Sequence, residues 1–546
     1  MPNGLAQTCR AGLRMVHFAL SLLLAACSTV LPTPALTQPG TVTVTISADG
    51  QARAYSLPSG LTVREALAQS GLALGELDRL SSPPYTLISD GLTITVTRIT
   101  ESFETEEAVL PFASDIVKSD TLPEGQRKLL QPGENGQEEI TYRTVFEDGV
   151  QVSRSVVKRV VVQAPVREII MVGSQASYTI IPITGTLAYL NGANAWLIRK
   201  NSGQRLPVTF SSDLDGHVFD LSPDGQWLLF TRALSDSATF NTLWALPVTS
   251  TLTTTQPIDL KIRNVLYAEW TPSEPPTRTL AYSTAEKITR APGWQANNDL
   301  WLLHLAENRR TRKLEFTPEQ ILDTSSGGLY GWWGTGFAAS PDGASIAYAR
   351  TDSIGLIDLT TKTQAELAQF TAFNTHSDWA WYPKLRWEPG GQFLYAVTHG
   401  PPLGLELPED SPVFNLTGLS RATGLRLDLI PRAGMFANPA PSPAQTSPTG
   451  ERRFRVAYLQ ADEPDNSPFS RYRLGVMDRD GSNARLLFPP ADQPGLSNAD
   501  TLVAWSPDAR LLAVIYEGNL WLIDPDAGVT QQLTGDGLSE LPEWER

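Results

Sequence analysis

The sequence predicts a mainly β protein made of three modules in series: a small β-grasp unit over residues 41–99, an extended β module over 100–175 and a β-propeller over 180–546. Residues 41–99 alternate polar and β-forming side chains at period two around a single helical stretch. Residues 100–175 are poor in apolar side chains and punctuated by glycine turns. The remainder repeats a turn centred on Ser-Pro-Asp-Gly, the signature of a blade array rather than of one continuous sheet.

In the first module, Thr41 to Ile46 alternates strictly, Asp49-Gly50 makes a tight turn, and Ala52 to Leu57 returns as a second strand. Thr62 then N-caps a helix with Glu65 completing a capping box, and Leu67, Leu72 and Leu74 supply its apolar contacts. Leu92 to Arg98 closes the unit as another alternating strand. The stretch resembles the ubiquitin-like repeat that precedes five-glycine domains in bacterial surface proteins.

The second module carries Pro123-Glu-Gly125, Gln131-Pro-Gly133-Glu-Asn-Gly136, Phe146-Glu-Asp-Gly149 and Val172-Gly173. Asn135-Gly136 and Asp148-Gly149 are hairpin signals that call for positive φ. Between and after them, Glu138 to Val145 and Val152 to Val162 alternate as strands. With Gly125, Gly133, Gly136, Gly149 and Gly173 all in place, the stretch resembles the five-glycine (G-five) domain. That resemblance implies binding to polymers containing N-acetylglucosamine.

In the third module Asp220-Leu-Ser-Pro-Asp-Gly, Ala338-Ala-Ser-Pro-Asp-Gly and Ala504-Trp-Ser-Pro-Asp-Ala align, with weaker copies at Trp270-Thr-Pro, Trp387-Glu-Pro and Thr446-Ser-Pro. Each precedes an apolar strand with a small polar residue before Leu-Trp or Leu-Gly, as in Asn241-Thr-Leu-Trp and Asn519-Leu-Trp. Copies recur at roughly 40 to 70 residues, as blades do. The motifs resemble the TolB-type (WD-like) propeller repeat. Six first strands begin near 220, 268, 338, 385, 445 and 503. A seventh strand set at 187–210 lacks its own first strand, and the C-terminal Leu541 to Arg546 supplies one. Seven blades are therefore preferred, with six as the alternative. Pro431 to Gly450 is expected to be a long inter-blade loop.

Ahead of these modules, Arg10 and Arg14 lead into an apolar run ending in Leu24-Ala25-Ala26-Cys27. The run suits a secretory signal over 1–26, and its end resembles the lipobox of bacterial lipoproteins, which implies acylation of Cys27. The alternative is an ordinary signal peptide cleaved at a nearby alanine. Residues 27–40 carry three prolines and no charge, as expected of a tether. Cys9 and Cys27 are the two cysteines, so no disulfide framework is expected. Removing the leader's two arginines takes the net charge from −15 to −17, which disfavours nucleic acid as a partner.

Signs of catalysis are sparse. Beyond the leader the histidines are His217, His304, His376 and His399, none paired at i, i+4 and none accompanied by cysteine, so no metal and no cofactor is expected. Some five-glycine domains are associated with zinc, but no His or Cys lies between 28 and 216. Asp478-Arg-Asp480-Gly and Asp524-Pro-Asp526 fall where the repeat requires turns. No nucleophile-elbow motif occurs, so no catalytic residue is assigned. The ligand-contact candidates are aromatic: Trp332 and Trp333 in one loop, and His376 with Trp379, Trp381 and Tyr382 at a funnel mouth, where they would suit sugar rings or a peptide.

The sequence therefore leads us to expect a non-enzymatic, membrane-anchored lipoprotein of the cell envelope. Its acyl chains on Cys27 hold the membrane, its five-glycine stalk binds peptidoglycan or another amino-sugar polymer, and its propeller head binds a protein or glycan partner. The alternatives are a structural scaffold without ligand and a propeller-based carbohydrate-active enzyme. Carboxylates converging in the propeller channel would favour the enzyme; an aromatic funnel would favour the binder.

Overall fold

The computed structural model describes residues 40–545 apart from 120–121, 123–124, 174–178, 235–238, 249–255, 274–276, 291, 308–309, 311–313, 448–449 and 499–501. The leader, Cys27 and nearly all of the tether lie outside the described residues. Two compact units form, and their boundary cuts through the second module: 137–163 belongs with the chain up to 109, and 110–136 belongs with 164 onward.

In the first unit, Thr41–Ala48 pairs antiparallel with Gln51–Pro58 across Asp49 and Gly50, whose φ values are +52° and +73°. These angles match the twist of a two-residue hairpin. Thr93–Thr97 runs parallel to the first strand, and Val63–Gln69 is the helix. Thr62 accepts from the Glu65 amide, and Glu65 accepts from the Thr62 amide at 2.7 Å. Val44, Ile46, Val63, Leu67, Ile94 and Val96 fill the space between helix and sheet. The same unit holds a sheet of Ile99–Leu110, Gly136–Glu147 and Val150–Gln163. Asp148 and Gly149 turn between the latter two strands at positive φ, and Val150–Gln163 is exposed along its whole length.

The expected hairpin at Asn135-Gly136 is absent. Gly136 instead opens a strand, and Asn135 accepts from the Phe112 amide at 3.2 Å. The glycine whose missing side chain matters is Gly133, where a Cβ would lie 2.3 Å from the Phe112 ring.

The second unit begins with a sheet of Ser114–Ser119, Glu168–Gly173 and Arg127–Gln131. Met171 from this sheet is buried with Ile183, Leu187 and Leu520 of the propeller, and Val117, Leu122 and Leu130 pack against that cluster.

Seven sheets follow, six of four strands and the third of five. Blade 2 shows the pattern, running outward through Leu214–Leu221, Trp227–Ala233, Asn241–Pro247 and Ile258–Arg263. Blade 1 is built from both ends of the module: Ser539–Glu545 pairs antiparallel with Pro182–Asn191. The other inner strands are Val265–Thr271, Gly336–Ala339, Leu385–Trp387, Ala440–Pro441 and Val503–Trp505 for blades 3 to 7. Each inner strand touches the next, and that of blade 7 touches that of blade 1.

The sixth inner strand falls inside Pro431–Gly450, where a loop was expected. The operative motif there is Ser442-Pro443: the Ser442 amide donates to the Arg455 carbonyl at 2.7 Å, the Ser442 hydroxyl accepts from the Arg455 amide at 3.1 Å, and Ser442 is 2 % exposed.

The repeated residues have definite jobs. In Ser222-Pro-Asp-Gly, the Ser222 hydroxyl donates to Asp224 at 2.6 Å and accepts from the Trp227 amide at 2.9 Å. Ser340 and Ser506 do the same with Asp342 and Ser345, and with Asp508 and Leu511. Gly225 and Gly343 take φ of +62° and +66°, while Ala509 adopts +55° at the same place.

The small polar residue before Leu-Trp is a clasp. Buried Asn241 accepts from the Val265 amide at 2.8 Å and donates to the Val265 carbonyl at 3.0 Å, tying blade 2 to the start of blade 3. Asn194, Asn415 and Asn519 hold the Ser212, Arg432 and Gly537 amides alike. Asn415-Leu-Thr417 fits a glycosylation sequon, but the Asn415 side chain is buried and serves packing. Replacing Asn241 by Ala leaves a buried N–H and C=O unpaired, and should lower unfolding free energy by about 2–4 kcal/mol in denaturant titrations without changing the fold.

Candidate functional site

A set of charged residues lies on the propeller's inner strands. Strand register aligns one position around the ring: Glu543, Asp220, Glu269, Ala338, Arg386, Ala440 and Ala504 on blades 1 to 7. Each precedes by two residues the Ser-Pro turn or its counterpart. The inner strand of a blade leaves backbone donors unpaired on its channel side, and two of the acids meet them. Asp220 accepts from the Trp270 amide of the next blade at 2.7 Å, and Glu269 accepts from Ala339 at 3.4 Å and from the Tyr267 hydroxyl at 2.8 Å. No hydrogen bond to the Glu543 carboxyl is found among the described residues.

Blade 5 faces these acids with Tyr382, Lys384 and Arg386 at alternate positions. Water reaches Lys384 and Arg386, although protein surrounds them, while Pro383 and Leu385 between them are buried. Among the described residues Lys384 makes no hydrogen bond or ion pair, and Arg386 donates to the Leu385 carbonyl at 3.3 Å but has no carboxylate within ion-pair distance.

Enclosure shifts the three acids, Lys384 and His217 toward their neutral forms. Burial holds the Asp220 carboxyl well above the usual range, with Glu269 and Glu543 adding to the effect. Burial raises Glu269 as well, with Arg386 opposing. Glu543 is pushed up to about 7 by burial, against the pull of Arg386. Lys384 is lowered by burial and by the adjacent Arg386 charge, and His217 is lowered by burial, with Asp215 opposing and Lys384 reinforcing. No group of three His, Cys, Asp or Glu among the described residues is spaced to hold a metal ion.

The six aromatic-loop candidates do not converge. The Arg290 guanidinium lies 4.3 Å from the Trp332 ring centre, and Trp333 sits edge-on to Trp294, so this pair stacks on a blade 3 hairpin. Trp381 is core, 5 % exposed and edge-on to Phe414 at 5.0 Å. His376 pairs with Asp410 at 2.7 Å on an exposed loop, where Thr375 donates to the Trp379 carbonyl. Of the six, Tyr382 reaches the inner ring: its ring occupies the space a Cβ on Gly336 would need. The aromatic funnel is therefore replaced by a charged channel. Sequence reasoning missed its charged members, although the signal was present: the residue two before the Ser/Thr-Pro position is charged at Asp220 and Glu269, and also at Arg386 in the weaker Trp-Glu-Pro copy.

Asp478 to Gly481 and Asp524 to Asp526 are turns. Asp480 accepts from Ser482, and Asp524 from the amides of Asp526 and Ala527.

Family models match the first two modules. Residues 101–175 match the G5 domain. Residues 44–84 match the G5-linked ubiquitin-like domain. No curated protein matches the chain. Among solved structures, the G5 domain of HP0197 is 26 % identical, with a TM-score of 0.13 over 14 % of this chain and 99 % of that one. A TolB-type protein from Agrobacterium tumefaciens is 17 % identical, with a TM-score of 0.32 over 61 % of this chain and 96 % of its own. A 6-phosphogluconolactonase-like protein from Bacteroides fragilis is 11 % identical, with a TM-score of 0.39 over 64 % and 93 %. The G5 match points to an extracellular binding or scaffold role. No described helix is long and apolar enough to cross a membrane.

The raised Glu543 carboxyl fixes a pH dependence. Unfolded, a glutamate titrates near about 4.3. Below that both states are protonated; as pH rises toward 7 the unfolded chain loses its proton first, so stability falls and then levels off. Glu543→Gln should therefore stabilise the protein at pH 8, by on the order of 1–3 kcal/mol, and leave it unchanged at pH 4, as read from denaturant midpoints.

Proposed function

We propose that the chain is a lipid-anchored extracytoplasmic binding protein: Cys27 carries the acyl chains, the G5 module binds amino-sugar polymers of the cell wall, and the propeller is a recognition head for a protein or glycan partner. The observation that carries this reading is the G5 match over 101–175, directly preceded by its ubiquitin-like companion. The exposed Val150–Gln163 strand supports it, since a thin sheet with so much open surface suits contact with an extended polymer. The lipobox-like Leu24-Ala25-Ala26-Cys27 supports attachment by acyl chains.

The test is co-sedimentation of the full chain carrying Cys27→Ser with purified peptidoglycan. Saturable binding, relieved by N-acetylglucosamine oligomers, is expected; absence of binding would leave the scaffold alternative. In the native host, Cys27→Ser should move the protein from the membrane to the soluble extracytoplasmic fraction, and retention of an acylated, membrane-bound mutant would contradict the anchor.

A second reading, a carbohydrate-active enzyme, is favoured by one observation: carboxylates do converge in the channel, and Glu543 holds a proton near neutral pH as a general acid must. Release of reducing sugar from wall glycans, lost in Glu543→Gln, would support it.

A further inference from the structure

The channel has two chemically different walls, and neither is satisfied by the other. Tyr382, Lys384 and Arg386 on blade 5 are hydrogen-bond donors at alternate positions of one extended segment, so they share a face. Glu543, Asp220 and Glu269 on blades 1 to 3 are acceptors. The aligned positions on blades 4, 6 and 7 are Ala338, Ala440 and Ala504, whose short side chains leave room between the walls. Satisfying inner-strand amides accounts for Asp220 and Glu269. It does not account for Glu543, which has no hydrogen-bond partner among the described residues, nor for Lys384, which has none either. Charged groups that line a water-filled channel and find no partner in the fold are free to meet a ligand.

The chemistry of that ligand follows from the two walls. A neutral sugar would leave Lys384 and Arg386 unpaired. Inorganic phosphate would answer the cations but offers the three acids no array of hydroxyl groups. A single carboxylate matches the guanidinium fork of Arg386 with the Lys384 ammonium beside it. The acids, held toward their neutral forms, are poor partners for an ammonium but good ones for hydroxyl groups. We propose that the propeller channel binds a carboxylated sugar, its carboxylate on Lys384 and Arg386 and its hydroxyls on Glu543, Asp220 and Glu269. This rests on the propeller acting as a recognition head and names that head's ligand class.

Calorimetric titration of the full chain carrying Cys27→Ser with D-glucuronate, N-acetylmuramate, D-glucose and glycine tests it. Saturable binding of at least one of the two sugar acids is expected, at least tenfold tighter than glucose or glycine. Lys384→Met and Arg386→Met should each weaken that binding at least tenfold, and Lys384→Arg should restore most of it, which separates a lost contact from a damaged fold. Preference for glucuronate would mark a ring carboxylate as the determinant, and preference for N-acetylmuramate a carboxylate on an amino sugar. Failure of both sugar acids to bind, equal binding of glucose, preference for glycine, or indifference to Lys384→Met would each overturn the proposal. Peptidoglycan co-sedimentation of the Lys384→Met protein reads the G5 module separately, so a failed channel proposal leaves the wall-binding result standing.

Discussion

The propeller depends on the pairing of its last strand with its first sheet. Thr186 to Asn191 lie in register with Glu545 to Ser539, and Asn191 adds side-chain hydrogen bonds to Asp536 and Ser539. Without that pairing the first sheet would lack its inner strand and blades 7 and 2 would face each other across a gap. The pairing also makes the site. Glu543 stands beside Asp220 because the C-terminal strand takes the innermost place in a sheet that otherwise comes from residues 182–207.

The remaining blades are tied to their neighbours by short polar contacts rather than by one shared core. Hydrophobic clusters fill each gap between adjacent sheets, while buried asparagines such as Asn241 and tryptophan donors span the joints. Trp387 donates to the Ala338 carbonyl at 3.0 Å and Trp505 to Ala440 at 2.7 Å, each across to the preceding inner strand. Arginines reinforce the outer turns, as where Arg278 reaches Asp224 and Arg421 reaches Asp342. Since backbone and turn groups are satisfied this way, charges that remain unpaired on the inner ring stand out from the repeat.

Much of the fold was legible because the repeat writes its physics into few residues. Ser-Pro-Asp-Gly requires a hydroxyl, a fixed φ, a carboxylate and a positive-φ residue in that order, and the sequence shows them. The Thr62 and Glu65 capping box is equally local. What failed was non-local. Asn135-Gly136 has hairpin composition, but Phe112 occupies the space over Gly133 and its amide donates to the Asn135 side chain. In the sixth blade the proline-rich stretch masked a two-residue inner strand that only its partner, Arg455–Ala461, reveals. The aromatic residues were hard to sort because core and ligand platforms share a composition; Trp381 is claimed by Phe370 and Phe414. The channel charges were hidden for the opposite reason: they belong to four separate repeats, and only ring geometry brings Glu543, Asp220, Glu269 and Arg386 to one level.

That geometry stands or falls with the terminal strand. Hydrogen exchange of the full chain, followed at the amides of Ser539–Glu545, tests it most directly. Ring closure predicts protection there equal to that of the Pro182–Asn191 strand, with both segments opening together. Rapid exchange at 539–545 beside a protected 182–191 would contradict closure, and with it the placement of Glu543 in the channel.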